Sequence, residues 1–311
     1  MMVTPPPVIS IVTPSFNQGN FIRATIESVL AQDYPALEYW IIDGGSNDQT
    51  LAIIQEYAHD PRLHWVSEPD RGQSDAINKG LARCTGSIFT WLNSDDVLLP
   101  GALQQVADAW QRHGPALFYG LARYIDADDN DLGLCPMQSA NVSLTSLLRM
   151  RSTFMQPATF VPTQTVRNLD GVNENFHFGM DFDLWLRLVQ YLPIRHIPAE
   201  LALYRLHAES KTVALSAAFI ADKRQALQAA AMRGQLSWHE ALAYSDLFAA
   251  RIFLIPGTVA TSQALLALLR SVLLAPQILP DALRILGGAL TRQLVGEERW
   301  AQVRALKARF E

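Results

Sequence analysis

Residues 37–59 read LEYWIIDGGSNDQTLAIIQEYAH. Leu37–Asp43 is an apolar, β-prone run, Gly44 and Gly45 open a polar turn, and Leu51 to His59 sets apolar side chains at helical spacing. The stretch therefore predicts a strand, a turn and a helix. Upstream the same succession occurs: ISIVT (Ile9–Thr13) ends at Pro14, and the segment from Asn20 places Phe21, Ile22, Thr25, Ile26, Val29 and Leu30 along one helical face. Downstream it returns as RLHWVSE, PDRGQS and DAINKGLARC, followed by a fourth strand, SIFTWLN. Alternating strands and helices predict an α/β fold with a mostly parallel, Rossmann-like central sheet flanked by helices. Ligands of such sheets bind beyond the carboxyl ends of the strands. Asp43 and Asp95 both follow strands, which assigns them to one rim.

Further along, residues 116–127 (ALFYGLARYIDA) read as a strand leading into the acidic turn DDNDLG, and residues 136–160 carry only a weak signal. FGMDFDLWLRLVQYL, from Phe178, places Leu184, Leu188 and Leu192 on one helical stripe. Beyond residue 213 the sequence is helical and rich in Ala and Leu, interrupted by Pro256, Pro276 and Pro280, which predicts residues 1–213 as one domain and 214–311 as a helical carboxy-terminal extension.

Composition excludes several classes. With 311 residues, 49% of them hydrophobic and 18% charged, the chain is that of a globular protein. Up to Val213 there are 14 basic and 23 acidic side chains, which argues against nucleic acid as a partner. From Ala214 onward the balance reverses to 11 basic and 7 acidic. Two cysteines, Cys84 and Cys135, make no disulfide framework and fit a reducing cytoplasm. The start, MMVTPPPVIS, reads as no signal peptide. The apolar run from Ile252 to Leu269 contains Pro, Gly, Thr, Ser and Gln and is not read as a membrane span. Amphipathic helices with a basic balance suit peripheral contact at the inner face of a membrane; a helical cap or a homo-oligomer interface is the competing reading.

The stretch SIFTWLNSDDVLLP places two carboxylates, Asp95 and Asp96, side by side after an apolar strand. Like charges so close call for a cation or hydrogen-bond donors nearby. Hard oxygen ligands suit Mg²⁺ or Mn²⁺, with substrate phosphates and water completing the shell. A solvated turn capping the next helix is the plain alternative.

Taken together, VTPSFN, IIDGGSNDQT, the run from Glu68 to Leu103, GMDFDLWLRL and YRLHAESKT resemble the family 2 glycosyltransferases, over about residues 8–213. The resemblance implies a GT-A fold and inverting transfer of a sugar from a nucleotide-diphosphate donor to a glycan or lipid-linked acceptor hydroxyl, in polysaccharide, lipopolysaccharide or other glycan assembly of the cell envelope. It implies that Thr13, Pro14 and Asn17 line the nucleotide pocket and that Asp43 hydrogen-bonds the base. A carboxylate can accept the imide N–H of uracil, and a UDP-sugar is favoured, although guanine would also serve. Arg71 would neutralise phosphate, and Asp75 and Asn78 would contact ribose or fix the loop. Asp95 and Asp96 would hold the metal, Mn²⁺ or Mg²⁺, with Asp96 nearest it and His207 as a further ligand. Asp181 would be the general base, with Asp183 its competitor; the acid that many relatives carry just before the base is here Met180. Gln156, Phe160 and Arg205 would stand on the acceptor side, while Trp91 and Trp185 are assigned to core packing. A nucleotidyltransferase is the alternative enzyme, but TPSFNQGNF lacks the basic, glycine-rich phosphate loop such enzymes carry. An inactive GT-A scaffold is the non-enzymatic alternative.

Overall fold

A computed structural model describes residues 5–135, 137–149, 151–208, 210, 217–254 and 261–295. The chain divides into two compact units, Met1–Asp222 and Lys223–Glu311. The boundary expected at residue 213, the residues Lys211 and Thr212 of the YRLHAESKT motif, and Pro256 lie outside the described residues.

The first unit runs β1 (Ile9–Ser15), α1 (Ile22–Leu30), β2 (Leu37–Asp43), α2 (Thr50–Glu56), β3 (Leu63–Ser67), α3 (Gln73–Arg83), β4 (Ile88–Trp91), β5 (Val97–Leu98), α4 (Ala102–His113), β6 (Leu117–Ile125), β7 (Asp131–Leu134), α5 (Leu144–Leu148), β8 (Thr159–Pro162), α6 (Thr163–Asn168), α7 (Met180–Leu188) and β9 (Ile194–Arg205). The sheet order is β3-β2-β1-β4-β8-β6-β9-β5, with β7 paired to β6. β1 to β4 are parallel, in a register that sets Ser15 beside Asp43 and Asp43 beside Ser67. All residues of β1 and β4 are buried, as expected of parallel strands covered on both faces.

Beyond β4 the ladders are mixed. β8 lies antiparallel to both β4 and β6, β9 is parallel to β6, and β5 is antiparallel to β9. Among the described residues, the segment between β7 and β8 holds the five-residue α5 and a single 3-10 turn, Gln156–Ala158. Without a long crossover helix, an antiparallel entry is the available one.

Helix and sheet approach closely where α3 crosses β1. A Cβ on Gly80 would stand 2.4 Å from a Val12 methyl, which explains a glycine in mid-helix despite its cost of about 1 kcal/mol. Trp91 of β4 stacks on Trp185 of α7, centroids 5.7 Å apart, and both are fully buried, so they pack the core as expected. Cys84 and Cys135 are free and buried.

The two units meet in sequence within α8 (Ala217–Met232), which is followed by α9 (Trp238–Phe253), α10 (Thr261–Leu274) and α11 (Leu279–Val295). Ser237 and Glu240 form a reciprocal cap on α9. Inside the second unit, Leu247 and Ala250 of α9 pack with Ala267 and Leu268 of α10 and Ala282 of α11. The buried Asp246 carboxylate lies 3.5 Å from Arg224 and 3.4 Å from Arg270. Among the described residues no helix is long and apolar enough to cross a membrane.

Candidate active site

The carboxyl ends of β1 to β4 form a rim, and the turn after β2 is built around Asp43. This carboxylate is fully buried. Its Oδ2 accepts from the Gly45 and Ser46 amides (3.0 and 2.9 Å) and the Ser67 hydroxyl (2.7 Å), and its Oδ1 from the Ser46 hydroxyl (2.5 Å). Asp43 is thus the organiser of the 44–46 turn, and both oxygens are engaged. Asn17, in the left-handed region at φ 52°, ties the loop after β1 to the same turn: its amide donates to Ser46 Oγ and its side-chain oxygen accepts from the Asn47 amide. Thr13 and Pro14 are buried in β1, with the Thr13 hydroxyl bonded to the Tyr39 phenol at 3.0 Å. The sequence reading passed over Phe16, which exposes 58% of its surface at this rim. An aromatic residue directly after the first strand was the available signal.

The loop before α3 carries Arg71, whose 74% exposed guanidinium pairs with Asp75 (2.9 Å) and Glu174 (2.7 Å). The hydrogen bond from Arg71 holds the largely buried Asp75 carboxyl at about 2, with Lys79 adding to the effect. Asp75 Oδ2 also accepts the Arg71 amide, bracing the start of α3. Asn78 donates to the Val172 carbonyl and accepts from its amide, so it fixes the 172–174 loop.

Asp95 and Asp96 follow β4. Asp96 is 1% exposed: Oδ1 accepts the Arg205 amide and Oδ2 the Asn93 side chain, each at 3.0 Å. Burial, and then the neighbouring Asp95 charge, push its carboxyl well above the usual range, against the opposing pull of these bonds and of Arg205. Asp95 is more open, and its Oδ2 lies 3.0 Å from His207 Nε2. The outward pair at this turn is Asp95 and His207.

Arg205, expected on the acceptor side, is 2% exposed. It ends β9 behind the acid turn, donates to the carbonyls of Asp95 and Asp126 (2.9 Å each), pairs with Asp129 at 2.7 Å and lies over the Phe21 ring. It is the fixed cation beside the two acids. Phe160, expected on the same side, is also buried. It lies in the core on β8, between β4 and β6, with no exposed surface to offer an acceptor. Gln156 is nearly buried, donating to the Trp91 carbonyl at 2.5 Å and accepting from Asn93 at 3.3 Å.

Asp181 stands in the first turn of α7, partly exposed, with Oδ1 accepting the Phe182 amide at 2.6 Å. Asp183 is 1% exposed and bonded to Arg187 at 2.9 Å, while Arg187 also donates to the carbonyls of Leu169 and Gly171. The first turn of α3 joins α7 to the acid turn. Ser74 Oγ contacts Met180 Sδ (3.1 Å) and the Phe176 carbonyl (3.2 Å), and Gln73 bonds Asn93, the residue that holds Asp96. On the other side of the same loop, the Glu68 amide bonds the Asp43 carbonyl. The loop and first turn of α3 thus contact the Asp43 backbone, the acid turn through Asn93, and α7 through Met180.

A mixed sheet whose parallel half ends in an acid turn, helices on its faces, and a second acid on a helix beyond it define a GT-A type architecture. Residues 10–173, just over half of the chain, match the family model for glycosyl transferase family 2, and the chain belongs to that family. It is 31% identical over 210 residues to chondroitin synthase of Escherichia coli, across 67% of this chain and 30% of that protein. An uncharacterized glycosyltransferase of Mycobacterium tuberculosis is 30% identical over 191 residues, 60% of this chain and 70% of that one. The chain spans about a third of the length of the chondroitin synthase and of a Rickettsia felis relative. Staphylococcus aureus TarS 1-349 in complex with UDP-GlcNAc matches with a TM-score of 0.64 at 16% identity, over 86% of this chain and 82% of that one. Mannosyltransferase PcManGT from Pyrobaculum calidifontis in complex with GDP-Man and Mn²⁺ matches at 0.54 and 17%, over 99% of this chain and 81% of that one. At these identities the likeness establishes the fold.

Proposed function

We propose that the chain transfers a sugar from a nucleotide-diphosphate donor, a UDP-sugar in preference, to an acceptor hydroxyl with inversion. The observation that supports the reading is that the loop and first turn of α3 bond the Asp43 backbone, Asn93 beside the Asp95–Asp96 turn, and Met180 beside Asp181. Donors held by the structural neighbours, UDP-GlcNAc and GDP-Man, support the ligand class.

In this reading Phe16 stacks on the base while Asp43 and Asn17 hold the turn that shapes its pocket, and Arg71 faces phosphate. Asp95 and His207 would hold the divalent ion. A carboxylate and an imidazole 3.0 Å apart fit Mn²⁺ or Mg²⁺ in chemistry. Among the described residues no three His, Cys, Asp or Glu side chains gather as a metal set, so donor oxygens and water would complete the shell. When bound, the ion supplies electrostatic stabilisation of charge on the departing diphosphate. Asp181 takes the acceptor hydroxyl proton as the oxygen attacks opposite the leaving group. Asp183 is excluded from that role by its burial against Arg187.

The test is thermal unfolding with UDP-, GDP- and dTDP-sugars, with and without Mn²⁺. A true donor at one hundred times its Kd adds about 2.7 kcal/mol of stability. A rise in Tm with a UDP-sugar that requires Mn²⁺ supports the reading; no response to any nucleotide sugar overturns it.

A further inference from the structure

The loop that delivers Asp181 is held from a side no motif marks. Asp222, on α8, is nearly buried, and its Oδ2 alone accepts the backbone amides of His177 (2.9 Å), Phe178 (2.8 Å) and Gly179 (3.3 Å). These amides immediately precede α7, the last of them belonging to its N-cap, Gly179. A buried carboxylate without donors is costly, and three amides at the positive end of a helix are the donors that make this one tolerable. Phe219, one turn earlier on α8, meets the Phe178 ring edge-on with centroids 6.2 Å apart, so two contacts from one helix face pin the same three residues. On the opposite side the loop is pinned to α3 through Ser74 and Phe176.

We infer that Asp222 is a positioning residue for the reaction. It ties the three residues that lead into α7 to α8, and so fixes where the first turn of α7 presents the Asp181 carboxylate. The inference rests on the reading of Asp181 as the base. Its chemistry asks only for a hydrogen-bond acceptor at this point, and an amide oxygen can replace the carboxylate oxygen.

The experiment compares Asp222→Ala, Asp222→Asn and Asp181→Asn with the unaltered chain. Nucleotide release is read with UDP-N-acetylglucosamine and GDP-mannose in the presence of Mn²⁺, and amide hydrogen exchange is read over residues 176–184. Misplacing the base without touching the donor lowers kcat of Asp222→Ala by about 10- to 100-fold, with the donor KM within about two-fold. Exchange at residues 177–179 accelerates in Asp222→Ala and stays slow in Asp222→Asn, which recovers kcat to within about three-fold of the unaltered chain. Three results overturn the inference: unchanged exchange in Asp222→Ala, a full kcat in that variant, or kcat and donor binding falling together with the folded fraction. If Asp181→Asn turns over normally, the base reading fails. If Asp181→Asn is inert while Asp222→Ala is fully active, the inference about Asp222 fails alone.

Discussion

At Asp95 and Asp96 two acids stand next to each other in a turn; at Asp181 and Asp183 two acids stand two residues apart in the first turn of a helix. Each pair divides in the same manner. Asp96 is buried and bonded to the Arg205 amide and Asn93, and Asp183 is buried and bonded to Arg187. Asp95 and Asp181 keep part of their surface exposed. The inner acid fastens the local structure, and under the proposed function the outer acid is thereby held in place for a ligand. Both inner acids need company, because an ionised carboxylate out of water is costly. What differs is the company. Asp183 has a guanidinium bonded to its carboxylate, whereas Asp96 receives only neutral donors while the Arg205 side chain bonds the neighbouring carbonyl.

The largest expected effect separates the members of the second pair. Asp181→Asn should lower kcat by about 10²- to 10⁴-fold, the usual worth of a general base, while UDP still binds. Asp183→Asn should instead lower stability and leave kcat per folded molecule near its starting value, because its partner Arg187 works on the carbonyls of Leu169 and Gly171. Steady-state kinetics beside urea unfolding reads both. If the two variants exchange phenotypes, the division between inner and outer acid is reversed.

The next effect concerns the cation behind the first pair. Replacing Arg205 by Met leaves the carbonyls of Asp95 and Asp126 without their donor and removes the positive charge nearest the buried Asp96. A loss of about 3–5 kcal/mol is expected. Adding Asp96→Asn to that variant should recover part of the loss, since the uncompensated charge disappears with it. Strict additivity in urea unfolding would mean that Arg205 does not act on Asp96.

The sequence carried the parallel half of the sheet and the membership of the acids in one rim, but not their division of labour. β2 spans the same Leu37–Asp43 that the β-prone run predicts, because most of its positions are buried and carry apolar side chains. β5 and β8, of two and four residues, are too short to show a period. The resemblance put Phe160 on the acceptor side, and nothing in its own segment reveals that β4 and β6 flank it. The contacts of Arg205 were hidden for a similar reason: its partner Asp95 lies 110 residues away, and no local pattern pairs them. The cation that two adjacent acids demanded was foreseen only as a metal. Asp43 was read as a contact to the donor, whereas the turn it closes on itself became visible only in three dimensions.

A third acid sharpens the comparison with the smallest effect. Asp75 is 6% exposed, nearly as buried as Asp96, yet its pKa moves the opposite way, to about 2, because Arg71 and Lys79 reach its carboxylate. A folded-state pKa below the unfolded value of about 3.9 contributes stability that is present above that value and lost as pH falls through about 2. Arg71 is mostly in water, so the contribution should be about 1 kcal/mol rather than the full equivalent of the shift. The unfolding free energy of the unaltered chain should therefore exceed that of Asp75→Asn by about 1 kcal/mol at pH 6 and converge with it near pH 2. High salt should narrow the difference at pH 6, because the partner charge is exposed. A difference that stays constant with pH would mean that the backbone bond to the Arg71 amide, which Asn retains through its carbonyl, and not the ion pair, is what Asp75 contributes to the start of α3.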